Sequence, residues 1–260
     1  MNSGEPHNAE LVYNTCITLE PDQPEGYLER ARAIMEQTVK YPLAAQTDLP
    51  RRALEDLDRA LELRPLLPAV RRTRADLFAR FRQLGRRGEA IAEYTRWLEL
   101  IRPIYMYRGR TSQRGLIRGC QQIKEFCQTL VIDGEEVVAA RELLALAQLA
   151  QRDFRGARKT ISRMNEADTQ RATVLRIRGS LKLKQATRGK VSDRGLLQQS
   201  LQDFDAALRL TPDRYWVEIG RVRVLLRLEK NNESLQALDE MLERNIAQTD
   251  WQEYDINAHR

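Results

Sequence analysis

The chain has little of what most enzyme sites are built from. Its two histidines, His7 and His259, lie at its extremes, so neither a histidine-based triad nor a buried zinc site is expected. No phosphate-cradling glycine loop is present. Carboxylate pairs such as Asp56/Asp58 and Glu135/Glu136 sit in what read as ordinary solvated helix faces. No catalytic residue, metal or cofactor is assigned, and enzyme activity is not expected. The three cysteines, Cys16, Cys120 and Cys127, are an odd number without metal-ligand spacing. Cys120 and Cys127 are seven residues apart and share a helical face, which reads as core packing.

Glycine (13) and proline (9) are scarce for 260 residues with 42% apolar content, which argues against a disordered chain. Alternating runs of valine, isoleucine and threonine are also scarce, while Glu, Arg, Gln, Leu and Ala dominate, so helices are expected in place of sheets. No window of about 20 residues is free of charge, and the opening residues lack both the basic start and the apolar core of a signal peptide. Neither a membrane span nor export is expected, and the expected compartment is the cytoplasm.

What the chain does have is arginine. Of its 43 basic residues 36 are arginine, against 37 acids, for a formal charge of +6. The planar guanidinium fork suits carboxylates and phosphates alike, so acidic protein segments and nucleic acid both stay open as partners. A bias in base composition also raises arginine with no function attached.

The organising feature is a repeat. Within 196–213, Ser200, Phe204, Ala207 and Pro212 are spaced four, three and five apart, and Ser234, Leu238 and Met241 repeat the first three exactly 34 residues later. Offsets of four and three place such side chains on one helical face. The same construction recurs as Ala9/Tyr13/Cys16/Pro21, Ala53/Leu57/Ala60/Pro65, Ala90/Tyr94/Trp97, Ile123/Cys127/Leu130 and Ala157/Ile161/Met164. An amphipathic helix precedes each copy but the first. A period near 34 implies helix pairs that bury their apolar faces only by stacking on neighbours. The small residues at 53, 90 and 157 read as points where two helices cross closely.

Two intervals are stretched, placing insertions at 38–50 and 185–195, each between the helices of a pair. Pro42 and Pro50 argue against one helix through the first. The second contains ATRGKVSDRG (186–195), which is polar, basic and glycine-bearing and reads as a loop outside the core. The least regular copy places a first helix at 103–119 and a second from 120. The expected organisation is a single array: a lone helix at about 9–20, six helix pairs over about 24–244, and a cap or tail at 245–260.

In Tyr27/Ala31, Trp216/Gly220, Gly85, Ala90/Tyr94 and Ala53/Leu57/Ala60/Pro65 the chain resembles the tetratricopeptide repeat family, over roughly residues 9 to 244. Arg74 and Arg141 depart from the pattern, standing where it usually has an aromatic residue. The resemblance implies an all-α fold, a right-handed αα superhelix, and a scaffold whose first helices line a concave groove for a peptide or partner domain. Carried onto this sequence, the groove would be lined by Arg32, Arg82, Tyr105 and Arg108 and, further on, by Arg176, Trp216, Arg223 and Arg227. Ala79 and Glu142 lie near the same faces. Convergent arginines would draw an acidic segment, with Tyr105 or Trp216 as apolar anchor. Two alternatives stand beside this reading. One is nucleic-acid backbone binding through an arginine-rich surface; the other is assembly by stacking of the solenoid ends, where the lone helix at 9–20 and the segment 251–256 would cap the array or pair with another chain.

Overall fold

In the computed structural model, residues 6–41, 48–81, 87–107, 113–133, 136–189, 192–211 and 215–246 are described. Among them there are thirteen helices and no strand. The chain divides into two compact units, Met1–Leu143 and Leu144–Arg260.

The first unit holds α1 (Pro6–Leu19), α2 (Pro24–Lys40), α3 (Leu49–Leu63), α4 (Pro68–Arg80), α5 (Arg87–Tyr107) and α6 (Gln113–Asp133). Prolines within the first helical turn start α2, α3 and α4, where the missing N–H costs nothing. Consecutive helices pack as pairs joined by short connections, α2 on α3 and α4 on α5, with α1 laid against α2. Ala31, Ile34, Leu57, Ala60, Leu77 and Phe78 form their shared core. The recurring small-large-small positions are the ones buried: Ala53, Leu57 and Ala60 are at 0% exposure. Among its described residues the first unit is therefore an array of paired helices.

α7 (Val137–Ala150) carries the chain from the first unit into the second. The second unit continues with α8 (Phe154–Ile161), the short α9 (Glu166–Thr169), α10 (Ala172–Ala186), α11 (Arg194–Leu210), α12 (Tyr215–Arg227) and α13 (Asn231–Ile246). Asp153 and Asp193 cap α8 and α11 by accepting from Gly156 N and Leu196 N. Phe204 is the centre of the α10–α11–α12 core, together with Leu175, Leu197 and Val217. Gly179 of α10 and Gly220 of α12 face its ring, and a Cβ at either would press on that ring at 3.1 and 2.5 Å.

Three sequence expectations are corrected. The helix boundary expected near Gly119 is absent: α5 runs on through Pro103, and α6 is one helix across Gly119. Gly119 is small because any Cβ there would overlap the indole of Trp97, so the glycine marks a close approach and not a turn. α4 stops at Arg80, where Phe81 leaves the helix at φ −101° with its side chain buried, ahead of the expected end at Gly85, which lies outside the described residues. ATRGKVSDRG is not wholly outside the core: Ala186 is at 2% exposure within the Phe204 cluster.

Candidate functional site

The site with the most defined geometry lies in the first unit, on the face of α4 that its apolar stripe leaves out. Val70, Leu77 and Phe78 turn inward, so residues spaced four apart on the other side, Arg72, Asp76 and Arg80, share a polar face. With α2, through Arg32, Glu36, Val39 and Lys40, that face bounds a cavity of about 570 Å³. With Tyr94 and Arg87 of α5 and with Gln122, Phe126 and Thr129 of α6 it bounds a second of about 310 Å³. Asp76 and Arg80 line both cavities, which makes them one groove.

Its two compartments differ in chemistry. The α2–α4 compartment is basic, with Arg32, Lys40, Arg72 and Arg80 against Glu36 and Asp76. The α4–α6 compartment has an aromatic floor, where the rings of Tyr94 and Phe126 meet at 5.7 Å in a tilted arrangement. At the junction, the Tyr94 hydroxyl donates to Asp76 Oδ1 at 2.5 Å. Arg72 stands 3.9 Å from the other oxygen, donates to Gln122 Oε1 and lies over the Trp97 ring at 5.5 Å. Burial pushes the Asp76 carboxyl above its ordinary value, opposed by the Tyr94 hydrogen bond and by Arg72, Arg80 and Arg32. Burial, with the Asp76 charge beside it, holds the Tyr94 hydroxyl well above the usual phenol range, so it stays a donor. No three His, Cys, Asp or Glu side chains gather as metal ligands among the described residues.

Of the residues expected in a groove, Arg32 lines this one; it donates to Thr73 Oγ1 at 3.3 Å and pairs with Glu29. Ala79 lines the smaller compartment. Arg82 and Arg108 lie outside the described residues, and Tyr105 falls in α5 where only the backbone is described. The other four belong to the second unit. Arg176 is buried in α10 at 5% exposure, Trp216 is half-buried and edge-on to Tyr215 at 5.0 Å, and Arg223 and Arg227 are exposed on α12. Sequence reasoning missed Lys40, Arg72, Asp76, Arg80 and Phe126. The i, i+4 series of charges on α4 was the available signal, but a charged face has no partner until α2 and α6 are placed beside it.

Much of the arginine is engaged between helices. Arg30 of α2 grips Asp56 of α3 through two nitrogens and also donates to Asn14. Arg71 and Arg74 of α4 both reach Glu93 of α5. In the second unit Arg178 and Lys182 of α10 enclose Asp203 of α11, and Arg221 pairs with Asp205. Arg74 is held by ion pairs to Glu93 and Asp58.

No protein-family model matches the chain. No curated protein matches it by sequence. Among solved structures it is similar to the TPR domain of P58(IPK), at 18% identity and a TM-score of 0.35, covering 93% of this chain and 56% of that one, so the chain spans little more than half of that structure. It is also similar to YrrB, described as a TPR protein with an unusual peptide-binding site, at 13% identity and a TM-score of 0.34, covering 89% of this chain and 91% of that one. No described helix is long and apolar enough to cross a membrane.

Proposed function

We propose that this chain is a protein-interaction scaffold that holds an extended, acidic segment of a partner protein in the groove formed by α2, α4 and α6. The observation that carries this reading is the pairing of a basic compartment with an aromatic one at Asp76 and Arg80. Forked guanidinium groups receive carboxylates, and the Phe126 side receives an apolar side chain from the same segment. Nucleic acid fits less well. Arg30, Arg71, Arg74 and Arg178 are turned onto carboxylates, which lowers the potential a phosphate backbone would meet.

The test is titration of a fluorescent peptide library rich in Asp and Glu with interspersed Leu and Phe, alongside random single-stranded RNA and duplex DNA, at low and high salt. Peptides of this class should bind, and the double variant Lys40→Glu/Arg80→Glu should weaken them by about tenfold or more, at roughly 1 kcal/mol per exposed charge. Asp76→Asn should tighten them, because it removes a negative charge from the groove floor. For the same reason the gain from Asp76→Asn should shrink as pH falls through the raised Asp76 value, because protonation then removes the same charge from the wild type. Unchanged affinity in the double variant would defeat the proposal. RNA or DNA bound more tightly than any peptide, with a steep salt dependence, would replace it.

A further inference from the structure

We infer that the second unit carries a basic ridge that docks a nucleic-acid duplex by its phosphates. The ridge is formed by Arg155, Arg158 and Lys159 on α8, Lys184 and Arg188 at the end of α10, and Arg194 at the start of α11. The inference is independent of the groove, which belongs to the first unit. Charge is spread unevenly along the chain. Residues 144–200 hold thirteen Lys and Arg against four Asp and Glu, a balance of +9, whereas the whole chain carries +6. The rest is acidic on balance, so the basic character of the protein resides in this one stretch.

Part of the excess is used inside the fold: Arg176 is buried, Arg178 and Lys182 enclose Asp203, and Arg163 and Arg171 flank the acidic α9. The six ridge residues are exposed, and none has an ion pair among the described residues. Packing sets them side by side. Ala157 and Thr160 of α8 turn inward, so Arg155, Arg158 and Lys159 share its outer face. Arg158 Nη2 donates to Gln185 Oε1 at 3.3 Å and Lys184 Nζ lies over the Phe154 ring at 5.7 Å, which joins that face to the end of α10. Asp193 N donates to Ala186 O at 3.1 Å and brings the start of α11, with Arg194, to the same end. Folding does not ask for these charges. Arg155 and Arg194 stand in the first turns of α8 and α11, where the helix dipole disfavours a cation.

What the ridge lacks selects its partner. Among the described residues of 144–200 no large apolar side chain is exposed. A protein partner therefore finds no apolar anchor, and a membrane finds no side chain to take in beside its headgroups. Lys184 covers the Phe154 ring, so the unpaired bases of a single strand have no aromatic face to stack on. A duplex needs none of these. Its phosphates are closely and regularly spaced, binding is driven by release of their counterions, and the guanidinium forks of Arg155, Arg158, Arg188 and Arg194 match them. Contacts to phosphate carry no sequence information, so the ridge does not discriminate between sequences.

Fluorescence anisotropy of the full chain with a labelled mixed-sequence DNA duplex is the experiment, across salt from about 50 to 200 mM. The slope of log affinity against log salt should approach about −5 when all six residues engage. Arg155→Glu/Lys159→Glu should weaken binding by about tenfold or more and flatten the slope by about 2. Both positions are exposed, and circular dichroism checks that the variant folds. The groove variant Lys40→Glu/Arg80→Glu changes the net charge by the same amount and should leave duplex binding as it is. The two sites therefore stand or fall separately, because that variant acts on peptide and the ridge variant on duplex. No duplex binding at low salt, or equal loss in both double variants, would overturn the inference. So would a single strand bound more tightly than the duplex. Poly-glutamate or phosphatidylserine vesicles held more tightly than the duplex, through Arg155 and Lys159, would overturn it as well and give the ridge to a protein or a membrane.

Discussion

Tyr94 and Phe204 hold the same place in their repeats, four residues after Ala90 and Ser200, and the surroundings of the two rings differ in a way that separates a sealed repeat from an open one. Phe204 is enclosed. Gly179 and Gly220 bring α10 and α12 against its ring, and the Ser200 hydroxyl next to it donates to Gly179 O at 2.7 Å, tying α11 to α10. Tyr94 is as buried, at 2% exposure, but its hydroxyl reaches Asp76 at the groove floor and its ring meets Phe126 at a tilt. One hydroxyl thus turns a core anchor into part of the lining of a groove. Where glycines press from both sides the ring is enclosed; where a carboxylate and a second ring replace them, open space remains beside it.

The largest expected effect comes from emptying the sealed repeat. Phe204→Ala should cost about 3–5 kcal/mol in chemical denaturation, because two glycines cannot fill the void the ring leaves. Gly220→Ala tests the same enclosure from outside. Alanine gains about 1 kcal/mol in helix propensity, but its Cβ would stand 2.5 Å from the Phe204 ring, and overpacking costs roughly 1–3 kcal/mol. Net destabilisation is expected, with Gly179→Ala milder because its nearest ring atom is at 3.1 Å. A neutral or stabilising Gly220→Ala would show that the ring is not gripped from both sides.

Tyr94→Phe examines the open repeat. It leaves the packing and removes one donor from Asp76, a loss of about 1.5–3 kcal/mol when the acceptor is charged. The raised Asp76 value sets the pH window. Between the ordinary aspartate value and the raised one, the folded chain holds a proton that the unfolded chain has released, so lowering pH through the folded value adds stability. Tyr94→Phe removes an interaction that favours the charged form. It should therefore cost most above the folded Asp76 value and less below it. A cost independent of pH would remove Asp76 from the account.

Six of the seven anchors were legible because helical periodicity reports burial: Ala53, Ala90, Ile123, Ala157, Ser200 and Ser234 are all fully buried, whereas in the first copy Ala9 and Tyr13 are only part-buried and Cys16 is exposed. Turns that lack a glycine were not legible. Five residues before Ala157 and Ser234, where Gly85 precedes Ala90, stand Arg152 and Glu229 at φ 63° and 62°, so two turns carry left-handed residues without the residue type that announces them. Gly119 misled in the opposite direction, its smallness answering to Trp97. The groove was the least legible part. Arg72, Asp76 and Arg80 lie on one face of α4, but their role depends on α2 and on α6, whose start the Gly119 reading had misplaced. Arginine content pointed to partners outside the chain, yet Arg30, Arg71, Arg74 and Arg178 bind neighbouring helices, information that lives in the packing.

The smallest expected effect concerns the connection between α10 and α11. Its ends are held: Ala186 is buried with Phe204, Asp193 N donates to Ala186 O at 3.1 Å, and the Asp193 side chain caps α11. The whole of ATRGKVSDRG is therefore not dispensable, but the interior from Arg188 to Ser192 carries no large apolar side chain besides Val191. Replacing 188–192 with a shorter glycine-rich turn that keeps Ala186 and Asp193 should change stability by about 1 kcal/mol or less, because closure entropy varies slowly with loop length. Asp193→Ala, which removes a single cap, should cost about as much by itself, roughly 0.5–2 kcal/mol. Thermal unfolding of both variants decides the point. If the shortened loop costs several kcal/mol while Asp193→Ala costs little, the interior of the connection holds α10 to α11, and the enclosure of Phe204 depends on more than its two glycines.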